Sequence, residues 1–202
     1  MPSEAEISWT DPIQLNFVEA LTEEGRLLRK LRKQLRDALA EQGFAPDDLR
    51  RCVYIVRMRG PVLVAYPRGN SPVLYVGRGD APGRLANHLG RWLHAVHKFG
   101  SGVDVELRIC VPRRRGRRDF FKCVEGDLIH WFQQRYGSIP FFNSRREQLW
   151  EGRVSYFPTS KRELRQALSV GSGNRPQWAI RPLPANPRYE VFHKGLDPEL
   201  LV

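Results

Sequence analysis

A cation and an imidazole lie one helical turn apart, directly after a short apolar strand. The stretch SPVLYVGRGDAPGRLANHLGRW, residues 71–92, contains Arg84 and His88, and their spacing places both on one edge of a predicted helix. Arg84 adds positive charge where the dipole of this helix is already positive, which is locally unfavourable. A bound anion would offset both charges. The pair therefore predicts a site that handles phosphate, although either residue alone is more often an ordinary helix-surface side chain.

A carboxylate lies within the apolar stripe of a second predicted helix, residues 119–136. Glu125 is three residues before Leu128, so the two side chains share one helix face. Burying a carboxylate is costly unless a cation, a metal or strong hydrogen-bond donors meet it. An ion pair with a core arginine is the structural alternative to a functional carboxylate. Asp127 and Gln133 are predicted to point away from the buried face.

The charge balance of the chain favours a polyanionic partner. The 202 residues include 33 lysines and arginines against 22 aspartates and glutamates, a formal net charge of +11. Such an excess points to nucleic acid before a membrane surface. The length suits one domain with a sizeable core and terminal additions.

The cysteines and the apolar runs bear on the compartment. Cys52, Cys110 and Cys123 show no CxxC spacing and lie in apolar stretches, which predicts buried reduced thiols rather than a disulfide or zinc framework. Residues 1–12 are acidic and lack the apolar core of a signal peptide, and no apolar run approaches a membrane span. We expect a cytoplasmic protein.

The hydrophobic pattern predicts an α+β fold in which helices flank a small antiparallel sheet. An N-terminal helix and a C-terminal extension would be added to this core. The predicted elements are an irregular segment 1–18, a helix 21–42, strands 52–58, 61–66 and 73–77, a helix 82–99, a strand 104–111, a basic loop 112–118, a helix 119–136, a weak helix 159–168 and a proline-rich extended arm in the last 30 residues.

Six short features of the chain resemble the GIY-YIG nuclease superfamily, in the order typical of that family. They are VYI at 53–55, YVG at 75–77, an arginine nine residues after the second tyrosine, RxxxH at 84–88, EGDLI at 125–129 and PFFN at 140–143. The resemblance covers about residues 51–145. It implies a nuclease core there, with a helical extension at 1–50 and a C-terminal arm at 146–202.

The chain departs from the family pattern at two places. Cys52 stands where the family usually has glycine in the first motif. Tyr54 and Tyr75 are 21 residues apart, roughly twice the usual separation, although an enlarged gap is similar to some restriction endonucleases of the family. Tyr66 is therefore a rival for the first tyrosine. We prefer Tyr54 because its flanking residues match the motif and Tyr66 adjoins Pro67 at a turn.

The resemblance also implies roles for individual residues. Glu125 would hold a single Mg²⁺ or Mn²⁺ ion, and Arg84 would clamp the scissile phosphate. Tyr54 would accept a proton from the attacking water, directly or through His88, with its ionised form favoured by Arg84 and the metal. Tyr75 would position water or phosphate.

Two further residues complete the implied site. Arg78 stands where the family often has lysine and could contact the same phosphate. Asn143 would tie the end of the site together by hydrogen bonds, and an ordinary turn asparagine is an equally good interpretation.

A run of arginines next to the glutamate helix suggests how DNA would reach the site. A merely solvated charge run is the alternative. Together with Arg78, the predicted DNA-binding residues are Arg113, Arg114, Arg115, Arg117 and Arg118.

The sequence thus favours a metal-dependent DNA endonuclease, with a restriction-type enzyme acting on duplex DNA as the first choice and a homodimer as one route to double-strand cutting. A nonspecific defence or mobile-element nuclease and a structure-specific repair nuclease are alternatives within that class. RNA remains a less favoured substrate. A non-catalytic nucleic-acid-binding module is the alternative of another class.

Overall fold

The structure is a computed structural model of the chain. It describes residues 6–15, 24–45, 47–88, 104–144, 148–151, 153–171, 176–186 and 189. Within these residues the chain forms an α+β fold with an antiparallel five-stranded sheet, as the hydrophobic pattern predicts. None of the helices in the described part is both long and apolar enough to cross a membrane.

The main sheet is antiparallel throughout and has the order β1-β7-β3-β6, with β2 also paired to β7. Its strands are β1 (Glu6–Trp9), β2 (Ile13–Leu15), β3 (Cys52–Arg59), β6 (Val73–Gly79) and β7 (Asp104–Arg113). Strand β6 is at one end of this order. Its outer edge is therefore available to other parts of the chain, which matters for the site.

The prediction of an irregular segment over residues 1–18 is wrong for β1 and β2. Both strands pair with β7, where Trp9 lies opposite Cys110 and Ile13 opposite Leu107. Thr10 joins the two strands, because its hydroxyl accepts a hydrogen bond from the amide of Ile109. Strands of three or four residues are too short to show a periodic pattern in the sequence.

A second, smaller sheet has the order β5-β4-β8, where β4 is Val62–Tyr66, β5 is Gly69–Ser71 and β8 is Trp178–Ile180. Strand β8 runs parallel to β4 and comes from the predicted C-terminal arm, so that arm is extended where it pairs. The strand predicted over 61–66 thus forms as β4, but it belongs to the smaller sheet and not to the main sheet. Most of the arm beyond 186 lies outside the described residues.

In the described part of the chain, four α-helices and one short 3₁₀ helix complete the fold. They are α1 (Glu24–Glu41), the 3₁₀ helix Asp48–Arg50, α2 (Ala81–His88), α3 (Phe120–Tyr136) and α4 (Pro158–Ala167). The helix predicted over 82–99 is described only to His88, and its remainder lies outside the described residues. Strand β7 extends to Arg113, so the predicted basic loop begins later than expected.

The core lies between the main sheet and the helices. Tyr54, Ile55, Phe120 and Phe132 are among its largest fully buried side chains. Helix α3 is buried on most of its circumference rather than on one stripe, because it contacts both sheets and the segment after residue 148.

Candidate active site

Two tyrosines lie side by side on one face of the main sheet. The register pairs Tyr54 of β3 with Gly77 of β6, and Tyr75 is two residues before Gly77 on the same face. The ring centroids of the two tyrosines are 6.0 Å apart. A Cβ atom at Gly77 would lie 2.5 Å from Cε1 of Tyr75 and 2.6 Å from Cζ of Tyr54. The glycine of the YVG motif is therefore required for the close approach of both rings.

His88, at the end of α2, contacts both tyrosines. Its Nε2 atom lies 3.4 Å from the hydroxyl oxygen of Tyr54, and its ring centroid lies 4.4 Å from that of Tyr75. The imidazole is half-buried, whereas Tyr54 is fully buried. The arrangement gives the buried phenol a hydrogen-bonding partner that reaches toward solvent.

Two further predicted site residues, Arg84 and Asn143, bond to the outer edge of β6 through their side chains. The carbonyl oxygen of Arg78 accepts a hydrogen bond of 2.8 Å from Nη1 of Arg84. Two residues earlier, the amide and the carbonyl of Val76 bond to the side chain of Asn143 at 3.0 and 2.8 Å. Residues two apart on a strand are separated by about 7 Å. Arg84 and Asn143 are therefore neighbours along one strand edge.

Asn143 fits both interpretations that its sequence position allowed. Its amide donates to the carbonyl of Pro140, which makes it a turn residue. Its side chain also covers the strand edge at Val76, and it is only 7 % exposed. The turn positions the side chain, so the two roles are parts of one arrangement.

Glu125 is buried, as its place in the apolar stripe predicts, with an exposed fraction of 5 %. Its Oε2 atom lies 2.7 Å from Nη1 of Arg78. The ion pair with an arginine, which was the structural alternative for this carboxylate, therefore forms. The arginine concerned is one that the sequence had assigned to phosphate contact.

Arg78 joins the carboxylate to the rest of the cluster. Side chains alternate along a strand, so Arg78 starts from the face opposite to Tyr75 and Gly77. The side chain of Arg78, which contacts Glu125, therefore leaves β6 on one face, and the tyrosines lie on the other. The strand edge along which Arg84 lies adjoins both faces.

Burial raises the pKa of Tyr54 above its ordinary value, and the neighbouring Tyr75 raises it further. The charge of Arg84 acts in the opposite direction but is outweighed. Arg84 thus favours the ionised phenol, as expected, but in the free protein the desolvation of the buried hydroxyl is the larger contribution. Tyr54 is a neutral phenol near pH 7.

Tyr66, the rival first tyrosine, lies in the second sheet and is committed to structure there. Its hydroxyl donates to the carbonyl of Val73 at 2.6 Å and accepts from the amide of Phe141 at 2.9 Å. Its ring packs edge-on against Phe132 at 4.9 Å. The geometry supports Tyr54 as the tyrosine that accompanies Tyr75.

The resemblance implies one metal ligand, Glu125, whose carboxylate is buried. In the part of the chain that the structure describes, no three His, Cys, Asp or Glu side chains group together to hold a metal ion. Mg²⁺ commonly keeps several waters and uses one or two carboxylates together with substrate phosphates. Glu125 fits that pattern, in which the substrate supplies part of the coordination.

The arginine run forms one wall of an open cavity of about 700 Å³. Arg113 pairs with Asp48 at 2.9 Å, and Arg117 stacks on the ring of Trp150 with its Cζ atom 5.0 Å from the centroid. Arg115 is exposed. Of the five arginines in the run, four line the cavity: Arg113, Arg114, Arg117 and Arg118.

The opposite wall of this cavity was not predicted from the sequence. It contains Arg50 and Arg51, together with Asp47 and Asp48, in and beside the 3₁₀ helix. The thiol of Cys52 donates to the carbonyls of Leu49 and Gly79, both at 3.3 Å, which ties this wall to the end of β6. The cationic cavity therefore adjoins the strand end at which Arg78 and Glu125 meet.

The prediction that Asp127 and Gln133 point away from the core is wrong. Asp127 is fully buried, and Gln133 is only 5 % exposed. The Asp127 carboxylate accepts hydrogen bonds from the amide of Trp150 at 2.5 Å, from the amide of Glu151 at 2.8 Å and from the hydroxyl of Tyr156. Asp127 therefore anchors the segment that follows the predicted nuclease core. The helical pattern carries no signal for partners so distant along the chain.

Comparisons of the chain with protein-family models, with curated proteins and with solved structures found no match. Support for a function therefore comes from the residues and their geometry.

Proposed function

We propose that this chain is a metal-dependent DNA endonuclease of the GIY-YIG type that hydrolyses phosphodiester bonds, with a restriction-type enzyme as the first choice. The observation that carries the proposal is the clustering around one strand. Strand β6 holds Tyr75 on one face, Arg84 and Asn143 along its outer edge, and the Arg78–Glu125 pair at its end. These residues come from segments up to 68 positions apart in the chain.

Arg84 and Arg78 would bind the scissile phosphate. Arg78 belongs to the end of β6, and the guanidinium of Arg84 contacts that strand end from α2. A guanidinium forms paired, charge-assisted hydrogen bonds with phosphate oxygens. Arg84 is exposed, so it can reach a ligand without unfolding its surroundings. Negative charge that develops on the phosphate in the transition state would be offset by these two cations.

His88 is the better candidate for the final proton acceptor. Because burial raises the pKa of Tyr54 above its ordinary value, the phenol of the free protein is protonated near pH 7 and needs an acceptor for its proton. A neutral His88 with an unprotonated Nε2 can accept the hydrogen bond of Tyr54 at 3.4 Å. The attacking water would pass its proton to the Tyr54 hydroxyl oxygen as the phenolic proton moves to His88.

Glu125 would hold the Mg²⁺ or Mn²⁺ ion. When bound, such an ion stabilises negative charge on the phosphate and on the leaving oxygen. The present partner of Glu125 is Arg78, so substrate phosphate would compete for that arginine and release the carboxylate. The metal and the DNA are then expected to bind cooperatively.

The cationic cavity would guide duplex DNA toward this strand end. Its two walls contribute arginines from the 3₁₀-helix region and from the loop before α3, and α3 carries Glu125. A dimer would allow one active site to cut each strand.

Digestion of a mapped plasmid in the presence of Mg²⁺, followed by end sequencing, tests the proposal. Discrete fragments are expected for a restriction-type enzyme, and a smear would favour a nonspecific nuclease. Preferential cutting of a flap or junction over plain duplex would favour a repair nuclease. Glu125→Gln should abolish cutting and keep DNA binding, whereas the exposed Glu163→Gln is the matched control.

A non-catalytic nucleic-acid-binding module is the second candidate. The observation that favours it is the Arg78–Glu125 ion pair, which gives the buried carboxylate a structural role. Salt-sensitive DNA binding with no cleavage of DNA or RNA in Mg²⁺ or Mn²⁺ would support this candidate and contradict the nuclease proposal.

A further inference from the structure

A second cationic cavity, of about 790 Å³, lies away from the candidate active site. It is bounded by β3, β7, the β4–β5 hairpin, the end of α3 and residues 166–171. None of the predicted site residues lines it. Arg135 of its wall is ten residues beyond Glu125 on α3, which corresponds to about 15 Å along the helix axis. The cavity lining includes four arginines: Arg57, Arg68, Arg108 and Arg135.

Arg57 forms the buried base of this cavity and is locally neutralised. It is 7 % exposed, and its Nε atom lies 3.4 Å from the carboxylate of Glu106. Its Nη2 atom donates to the carbonyl of Ser169 at 2.8 Å. Burial lowers the pKa of Arg57 from its ordinary value, Glu106 opposes this shift, and the charge of Arg108 adds to it. The positive charge of Arg108 therefore reaches Arg57 at the base of the cavity.

The other three arginines have no carboxylate across the cavity. Among the described residues that line it, there is no aspartate or glutamate. The Nε atom of Arg108 is buried without a hydrogen-bond acceptor in the described part of the chain, which is unfavourable unless an anion compensates the charge. The guanidinium of Arg108 stacks on Trp9 at 5.3 Å, and that of Arg135 stacks on Tyr136 at the same distance. These contacts hold the cations in place before any ligand arrives.

We propose that this cavity binds the phosphoryl group of a nucleotide. Three arginines that face no carboxylate among the described lining residues suit a phosphate group with several oxygens better than a single carboxylate, because guanidinium groups match phosphate oxygens in pairs. The volume lies within the range of small-ligand sites. Asn70, Gln166 and Ser169 line the same cavity and add neutral hydrogen-bonding groups for the remainder of the nucleotide. The nucleotide is either free or part of a DNA strand.

Binding to the metal-free, full-length protein tests this proposal. Two probes are titrated by calorimetry in the presence of EDTA: each deoxynucleoside 5′-monophosphate, and a short DNA duplex. Arg68→Gln and Arg135→Gln remove exposed cavity arginines. Arg153→Gln removes an equal charge from an exposed position that lines no described cavity.

For a free nucleotide, the wild-type protein binds at least one monophosphate, and each cavity variant weakens this binding about tenfold or more. For a nucleotide within DNA, duplex affinity falls by a similar factor in the cavity variants but not in Arg153→Gln. The proposal is overturned if neither probe distinguishes the cavity variants from Arg153→Gln. Because no metal is present and cleavage is not measured, this result is separate from the success or failure of the nuclease proposal.

Discussion

Arg78 places its guanidinium 2.7 Å from the carboxylate of Glu125 while its own carbonyl accepts a hydrogen bond from Arg84. One residue at the end of β6 thus connects the buried carboxylate of α3 with the exposed arginine of α2. The same cation that stabilises Glu125 in the free protein competes with any metal for that carboxylate. The first prediction follows from this competition.

Replacing Arg78 should destabilise the fold and strengthen metal binding. Arg78→Gln leaves the nearly buried Glu125 without its cation, and we expect a loss of about 1–3 kcal/mol in the free energy of unfolding. Without the competing guanidinium, Mn²⁺ affinity in the absence of DNA should rise. Chemical denaturation and calorimetric titration measure the two effects. Arg153→Gln is the charge-matched control, and unchanged or weaker Mn²⁺ binding in Arg78→Gln would contradict the competition.

Adding a single methyl group at Gly77 should disrupt the site. Gly77→Ala would place Cβ within 2.7 Å of three ring or hydroxyl atoms of Tyr54 and Tyr75, which pack in the core and cannot move easily. We expect a loss of about 1–3 kcal/mol in stability and of most cleavage activity. Gly83→Ala is the control, because the atom that its Cβ would meet is the carboxylate of the exposed Asp80, which can rotate away. Equal losses in both variants would argue against the tyrosine packing as the cause.

Stability should fall above about pH 10, partly through Tyr54. Its pKa is raised in the folded protein by burial, so the unfolded chain loses this proton first as the pH rises. The stabilisation is complete below the unfolded pKa and is lost above it. Tyr54→Phe should therefore lessen the alkaline loss of stability, measured by denaturation at several pH values.

The same variant checks the proposed proton path. Because Tyr54 remains protonated, the cleavage rate of the wild-type protein should show no increase attributable to phenol ionisation between about pH 8 and 10. A rate that rises throughout this interval, and no longer does so in Tyr54→Phe, would restore the phenolate as the base.

The arginines of the cavity near α3 should contribute to DNA affinity through phosphate contacts. Removing Arg118 by substitution with glutamine should reduce the slope of log affinity against log salt by about one unit if it contacts one phosphate. Binding is measured without metal at several salt concentrations. Arg153→Gln serves again as the control, and identical slopes for both variants would exclude Arg118 from the interface.

Periodicity predicted the long elements because each buries a repeated apolar face. Helix α3 and strands β3 and β7 lie within two residues of their predicted ends. The partners of β4 could not be predicted in this way, since a strand pattern does not state which edge it pairs with. The buried state of Asp127 depends on Trp150, Glu151 and Tyr156, which no local pattern links to it.

The order of short motifs identified the residues that the structure gathers around β6. It did not anticipate that Arg78 would pair with Glu125, because the pairing depends on how α3 lies relative to the strand end. Nor did it anticipate the direction of the Tyr54 pKa, since the cost of burying a hydroxyl depends on packing from elements far apart in sequence.

The pairing of β1 and β2 with β7 has a consequence for how the protein is handled. Residues 6–15 pair along most of one side of the ten-residue strand β7, so a fragment that starts at residue 51 would leave the backbone groups on that side unpaired. Unpaired strand edges form hydrogen bonds with strands of other molecules, so such a fragment would self-associate or aggregate with other proteins. Residues 6–15 thus protect the edge of β7 from intermolecular pairing, and shortened versions of the chain need these residues retained.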